Sequence, residues 1–257
     1  MKQLILFGAI LVLLISTVGC KKLLTFGVMT DCQYSNKDNL GNRLYRESKN
    51  KLWDAVHYFN YNNSNSLNYV IHLGDLIDAK FESFQPVKSI NGGLKMPVYN
   101  VLGNHDYFVD DKYKENLYKT LNMPAPYYDF KVKKWRFIVL DGNDISLHAH
   151  PKSSPKTKAA EAYYKNLTVP SGKWNGAIGV TQLNWLQYKL KSAEKNKENV
   201  IIFCHYPVYS QKRKKVWYTN NPHLHELWNA AEILKVIDHH PCVKAWINGH
   251  YHDGGYA

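Results

Sequence analysis

The residues best suited to chemistry fall into five short groups, each directly after an apolar run. Asp31 and Gln33 follow residues 24–30, Asp75 and Asp78 follow residues 69–74, and Asn104, His105 and Asp106 follow residues 98–103. His205 follows residues 200–204, and His250 and His252 follow residues 243–249. Carboxylate, amide oxygen and imidazole together make a mixed hard and borderline ligand set, suited to Mn, Fe, Zn or Mg rather than to copper or an iron–sulfur cluster. Asp31, Gln33, Asp75, Asn104, His205, His250 and His252 are too many for one ion. Two ions sharing a bridging Asp would use them all. A pair roughly 3.5–4 Å apart is the arrangement that activates a water and stabilises both attacking and leaving oxygens in phosphoryl transfer.

The apolar runs must deliver these groups to one place. Runs of this length, bounded by Gly, Pro and Asn, read as core strands, and polar residues at their C-terminal ends sit where open α/β sheets hold ligands. In the central run, Pro97 stands where a missing N–H is tolerated and Gly103 lets the chain turn before Asn104. A lone Asn-His-Asp is also an ordinary polar turn. Five such tips in one chain argue for a shared site. Helical stripes fill the gaps: Leu44, Ser48, Leu52, Ala55, Val56 and Phe59; then Leu183, Leu186 and Leu190, with Thr181 as N-cap; then Leu227, Ala231, Leu234 and Ile237, stopped by Pro241. Residues 137–141 read as one more strand, whose Asp141 either caps a turn or touches the site. Strand and helix alternate as in layered α/β folds.

Two stretches read as loops, residues 148–171 and 210–222. The second carries Lys212, Arg213, Lys214 and Lys215 with Trp217 and Tyr218. It is either a clamp on a distal phosphate with an aromatic stacking a base, or a solvated basic loop. No strand tip presents His148 or His150, so both are expected at the surface.

Residues 1–20 carry one early cation, Lys2, then a nearly uninterrupted apolar stretch from Leu4 to Ile15. That stretch is short for a spanning helix and reads as a secretory signal. Thr17-Val18-Gly19-Cys20 resembles a bacterial lipobox with Thr in the usual Leu position, so lipidation of Cys20 is expected, an uncleaved anchor being the alternative. Either places the protein in the cell envelope, outside the cytoplasm and held to the membrane. Residues 21–257 suffice for one large domain. Cys32, Cys204 and Cys242 lack the spacing of a disulfide framework and read as buried thiols. The formal charge of +12 suits an anionic substrate or anionic lipid. No motif organises the lysines for nucleic acid, so DNA and RNA binding is not expected. The sequence stops soon after His252, where a sheet of this kind would continue, so truncation at the C-terminus is expected.

In order and spacing, Asp31-x-Gln33, Gly74-Asp75-x-x-Asp78, Gly103-Asn104-His105-Asp106, His205 and Gly249-His250-x-His252 resemble the calcineurin-like metallophosphoesterases. Gln33 in the usual His position, Gly176-Ala177-Ile178-Gly179 before a helix, and residues 249–256 resemble the Mn-dependent ADP-ribose/CDP-alcohol diphosphatase group. The resemblance implies a four-layer αββα sandwich of two mixed sheets. It also implies that Asp31, Gln33 and His252 hold a first metal, that Asn104, His205 and His250 hold a second, and that Asp75 bridges them. His105 would donate a proton or stabilise the transition state, Asp106 would fix its tautomer and orientation, and Asp78 would steer a ligand. A neutral amide at position 33 leaves the first site harder, favouring loosely bound Mn over Zn or Fe, with Mg possible. The implied substrate is a nucleoside diphosphate joined to a sugar or alcohol. The alternatives are a phosphomonoesterase or cyclic-nucleotide phosphodiesterase on the same metals, or a lipoprotein that only binds nucleotide.

Overall fold

The computed structural model describes residues 24–62, 66–208 and 223–252. Strands β1 (Phe26–Met29), β2 (Tyr69–His72) and β3 (Val98–Asn100) form a parallel sheet in that order. A second sheet, ordered β4-β5-β8-β9, comprises β4 (Tyr128–Val132), β5 (Trp135–Val139), β8 (Asn199–Phe203) and β9 (Val243–Ile247). Its members run parallel except for the antiparallel hairpin β4–β5. A short antiparallel pair, β6 (Ile145–Ser146) and β7 (Gly176–Ala177), stands apart.

Side-chain alternation along the strands sorts the residues into layers. Between the sheets, Phe26 stacks on Tyr69 with ring centroids 5.0 Å apart, and Phe137 stacks on Phe203 at 6.0 Å. Their neighbours in sequence, Ile138 and Ile202, face the other way and pack with Leu183, Leu186, Leu190 and Ile233. Those belong to helices α6 (Val180–Lys195) and α7 (Ala230–Asp238). The first sheet is covered on its outer face by α1 (Ser48–Asn62), beside which lies α2 (Phe84–Asn91). Gly27 admits this helix, because a Cβ there would lie 2.8 Å from the Phe59 ring. Two single-turn helices, α3 (Asp111–Lys114) and α4 (Leu117–Thr120), connect β3 to β4. The order helix, sheet, sheet, helix is the expected four-layer α/β sandwich.

Several expectations need correction. Only the second sheet is mixed among the described residues: the chain crosses over between each pair of strands of the first, whereas β4 and β5 join through Lys133 and Lys134, with Lys133 at φ 56°. Residues 148–171 are not all loop, since α5 (Pro155–Lys165) occupies their middle. Its start follows helix chemistry, with Pro155 in the first turn and Ser154 accepting from the Lys156 N–H at 3.2 Å. Gly179, not Thr181, caps α6, and α1 begins at Ser48 rather than at Leu44. Residues 1–20, including Cys20, and most of the basic loop lie outside the described residues, so the signal, lipidation and clamp expectations are untouched by the fold.

Candidate metal centre

The strand ends are stitched together by hydrogen bonds across both sheets. Asp31 N donates to Gly74 O at 3.1 Å, Gln33 N to Asp75 O at 2.8 Å, and Val101 N to His72 O at 2.8 Å. Gly249 N donates to His205 O at 3.1 Å, and His250 N to the Asp31 carboxylate at 3.1 Å. The glycines permit this crowding. A Cβ on Gly103 would fall 2.1 Å from Asp75 Oδ1, and one on Gly249 would fall 2.0 Å from Thr30 Oγ1.

Four of the seven expected metal ligands have left-handed backbones: Asp31 at φ 52°, Gln33 at 48°, Asp75 at 55° and His250 at 66°. Each such residue costs on the order of 1–3 kcal/mol and persists only where its surroundings over-determine it, typically at functional sites. The strain aims their side chains at a common point.

What meets there is almost wholly acceptor. His205 Nε2 lies 3.3 Å from Asp75 Oδ2, 3.2 Å from Asn104 Oδ1 and 3.2 Å from His250 Nδ1. His205 donates its other ring proton, on Nδ1, to Leu73 O at 2.9 Å, and His250 Nε2 lies 2.9 Å from Asn175 Oδ1. In the neutral rings both inward nitrogens therefore bear lone pairs. Two lone-pair nitrogens, an amide oxygen and a carboxylate demand a positive charge between them. Without an ion, a proton on His205 supplies that charge. Burial pulls the His205 pKa down, but the Asp75 carboxylate overcomes this and pushes it up to about 9. Burial raises that of Asp75, yet the surrounding imidazoles hold it well below the ordinary carboxylate range. Burial and the His205 charge keep His250 neutral. The donor set suits a divalent cation of borderline hardness.

A second cluster adjoins through Asp75. Thr30 Oγ1 and the His250 N–H hold Asp31 Oδ2, at 2.6 and 3.1 Å, which leaves Oδ1 buried with no hydrogen bond and with His252 Nε2 at 3.4 Å. Gln33 Nε2 lies 3.1 Å from Asp75 Oδ2 and 3.5 Å from His252 Nε2. Turning that amide by half a rotation presents its oxygen instead, completing a ligand set of carboxylates, amide and imidazole. This side is the open one: the His252 side chain is 44% exposed, whereas His205 is fully buried. A cavity of about 430 Å³ begins at Asp31, Gln33 and His252 and continues past Arg43, Tyr45 and Lys51. Sequence reasoning missed Arg43, which belongs to no strand tip.

His105 stands beside the cluster, its backbone N–H donating to Asp75 Oδ1 at 2.8 Å. Its orienting partner is not the expected Asp106 but Asp78, whose Oδ1 accepts from Nδ1 at 3.0 Å and whose other oxygen pairs with Lys37. Burial lowers the His105 pKa, but Asp78 and Asp75 more than reverse this and raise it, so the ring tends to hold its second proton on Nε2. Asp106 points the other way. Its carboxylate accepts from the backbone N–H groups of Asp75, Leu76 and Gly103 at 2.9 Å each, and of Ile77 at 3.1 Å. It clamps the β2 tip to the β3 tip. Burial and the Asp75 charge push its pKa up to about 7.

All seven expected ligands, with His105 and Asp78, thus converge. Lys212, Arg213, Trp217 and Tyr218 lie outside the described residues. Asp141 caps a turn, accepting from Asn143 N at 2.9 Å. His148 is not a surface residue: its Nε2 sits 2.9 Å from Asn143 Oδ1, which also accepts from Tyr206 Oη at 2.6 Å. Asn143 in turn donates to Leu102 O at 3.0 Å, so this buried network props up the tip carrying Asn104. Burial drives the His148 pKa down to about 3 and keeps it neutral. Cys204 is a buried thiol as expected, its pKa pushed up to about 12 by burial.

The chain as a whole is similar to known proteins. The Mn-dependent ADP-ribose/CDP-alcohol diphosphatase of Homo sapiens is 30% identical over 280 residues, covering 92% of this chain and 79% of the relative. Its Arabidopsis thaliana counterpart is 32% identical over 265 residues, covering 91% and 81%. The crystal structure of a dimetal phosphatase from Danio rerio superposes with a TM-score of 0.76 at 26% identity, covering 91% of this chain and 83% of that one. The calcineurin-like phosphoesterase family profile matches residues 24–254, a span that takes in all five strand tips in their order. The chain therefore belongs to the calcineurin-like phosphoesterases, a family of metal-dependent hydrolases.

Proposed function

We propose that this protein hydrolyses the diphosphate bond of ADP-ribose or CDP-alcohol type substrates, releasing a nucleoside monophosphate and a phosphorylated sugar or alcohol, with Mn2+ as its metal. The observation that carries the reading is the meeting of Asp75, Asn104, His205 and His250 around a point that requires positive charge, beside Asp31, Gln33 and His252. Support for the substrate class comes from the relatives named for it. When bound, a pair of divalent cations supplies Lewis-acid polarisation of the phosphoryl oxygens and an activated water. Asp31, Gln33 and His252 would hold one, and Asn104, His205 and His250 the other, with Asp75 shared.

The remaining chemistry belongs to the chain. His105 presents Nε2 while Asp78 holds Nδ1, so the imidazole can place a proton against a phosphoryl or leaving oxygen. A phosphate leaving group has a second pKa near 6, so its departure at neutral pH needs little protonation. His105 then acts chiefly by stabilising negative charge. The cavity past Arg43 and Lys51 offers cationic walls for the anionic half of the substrate. The apolar leader and Cys20 support an envelope location with a lipid anchor.

The test is hydrolysis by metal-stripped protein given Mn, Mg or Zn, against ADP-ribose, CDP-choline, CDP-glycerol, a cyclic nucleotide and p-nitrophenyl phosphate, with Asp75→Asn as blank. Mn-dependent release of nucleoside monophosphate from the first three is expected. Preference for either of the last two would replace the diphosphatase reading with another phosphoesterase activity.

A further inference from the structure

We infer that Asn175 is the positioning residue that sets which nitrogen of His250 faces the metal centre, an inference that rests on His250 being a metal ligand. Asn175 is fully buried in the turn before β7. Its Nδ2 has three acceptors in reach: Ser171 Oγ at 3.0 Å, Leu224 O at 2.8 Å and Glu226 O at 2.9 Å. The orientation of a side-chain amide is decided by its network, and three acceptors on one side fix the NH2 there. The oxygen must then face His250 Nε2, 2.9 Å away. An amide oxygen only accepts, so Nε2 carries the ring proton and Nδ1 is left bare toward His205 Nε2 and Asp75. Outer partners of this kind fix ligand tautomer and ring orientation.

The support is rigid. Gly172 N donates to Leu224 O at 3.1 Å, Trp228 N to Gly176 O at 2.8 Å, and the Trp228 indole N–H to Gly172 O at 3.0 Å. The turn is thereby fastened to residues 224–228 on both sides of Asn175. The left-handed backbone of His250, at φ 66°, turns its side chain into the site, and the amide fixes the remaining choice of which ring nitrogen faces inward.

The experiment titrates Mn2+ into metal-stripped full-length protein, reading free Mn2+ by electron paramagnetic resonance, for wild type, Asn175→Leu, Asn175→Asp and His250→Ala. Circular dichroism of each metal-free variant checks folding. Asn175→Leu keeps the volume and removes the acceptor, so one of two sites should weaken by about 10–100-fold. Asn175→Asp retains an acceptor for Nε2–H and should bind both ions within a few-fold of wild type, although it puts a carboxylate against two carbonyls. A role confined to holding the turn predicts the opposite order, and that order, or a folded Asn175→Leu with two wild-type sites, overturns the inference. Should Asn175→Leu not fold, 15N spectra of the wild-type metal-free imidazoles decide: His250 must be protonated on Nε2, and a proton on Nδ1 overturns it. His250→Ala separates the two layers. If it retains both ions, the ligand reading itself fails; if it loses one while Asn175→Leu loses none, only the role of Asn175 fails.

Discussion

Asp106→Asn separates a structural clamp from a catalytic partner. Each carboxylate oxygen of Asp106 accepts two backbone N–H groups, Leu76 and Ile77 on Oδ1 and Asp75 and Gly103 on Oδ2. Asparagine keeps one oxygen and turns an NH2 toward the other pair, so two buried donors lose their acceptor. Each such loss costs about 1–3 kcal/mol, giving a destabilisation of about 2–6 kcal/mol. A domain of this size shifts by about 2–4 °C in Tm per kcal/mol, so the lost acceptors lower the Tm by at most roughly 4–24 °C, and at pH 8, above the Asp106 pKa of about 7, relief of the buried charge offsets part of that fall. The β2 and β3 tips carry Asp75 and Asn104, so the midpoint for Mn2+ activation should rise as well. The pH profile of the residual activity should keep its alkaline limb, because no bond joins Asp106 to His105. An unchanged Tm together with a displaced alkaline limb would refute the clamp and return Asp106 to the role of orienting His105.

Asp78→Asn should do the converse, leaving Mn2+ affinity largely intact. Asp78 raises the His105 pKa, so activity that needs the imidazolium is present below that pKa and lost as pH rises through it; removing the carboxylate moves this alkaline limb to lower pH, and an unmoved limb would show that His105 does not titrate in the reaction. Gly103→Ala places a Cβ 2.1 Å from Asp75 Oδ1, so Mn2+ binding should be lost from protein that still shows its secondary structure by circular dichroism. Phe137→Ala, between the sheets and far in chemistry from the site, should cost about 3–5 kcal/mol in denaturant unfolding while leaving the KM of the remaining folded enzyme unchanged. Cys20→Ser should abolish palmitate labelling of protein expressed in a bacterial host, and labelling that persists would exclude lipidation at Cys20.

The strand tips were legible because each is local: an apolar run, a turn and a polar side chain suited to metal lie within a few residues, and five repetitions of that pattern constrain one another. Residues whose role is created by folding were not. Asn175 is 75 positions from His250, in a turn whose composition resembles any other. Asp106 misled by adjacency, since a neighbour in sequence to His105 turns its carboxylate to the backbone while Asp78, 27 positions earlier, reaches the ring. His148 followed no strand and read as exposed, yet Asn143 and Tyr206 bury it. For α5, the Ser154-Pro155 start was present in the sequence, but the polar composition that follows conceals a helix with only a narrow buried face.

The central claim is that two cations share one carboxylate at these strand ends. Its most direct test is the stoichiometry of Mn2+ bound to metal-stripped wild-type protein and to Asp75→Asn, measured by equilibrium dialysis. Two ions per wild-type chain, with both sites weakened by the single substitution, is the result expected. Two ions with one site untouched by Asp75→Asn, or fewer than two ions in the wild type, would contradict it.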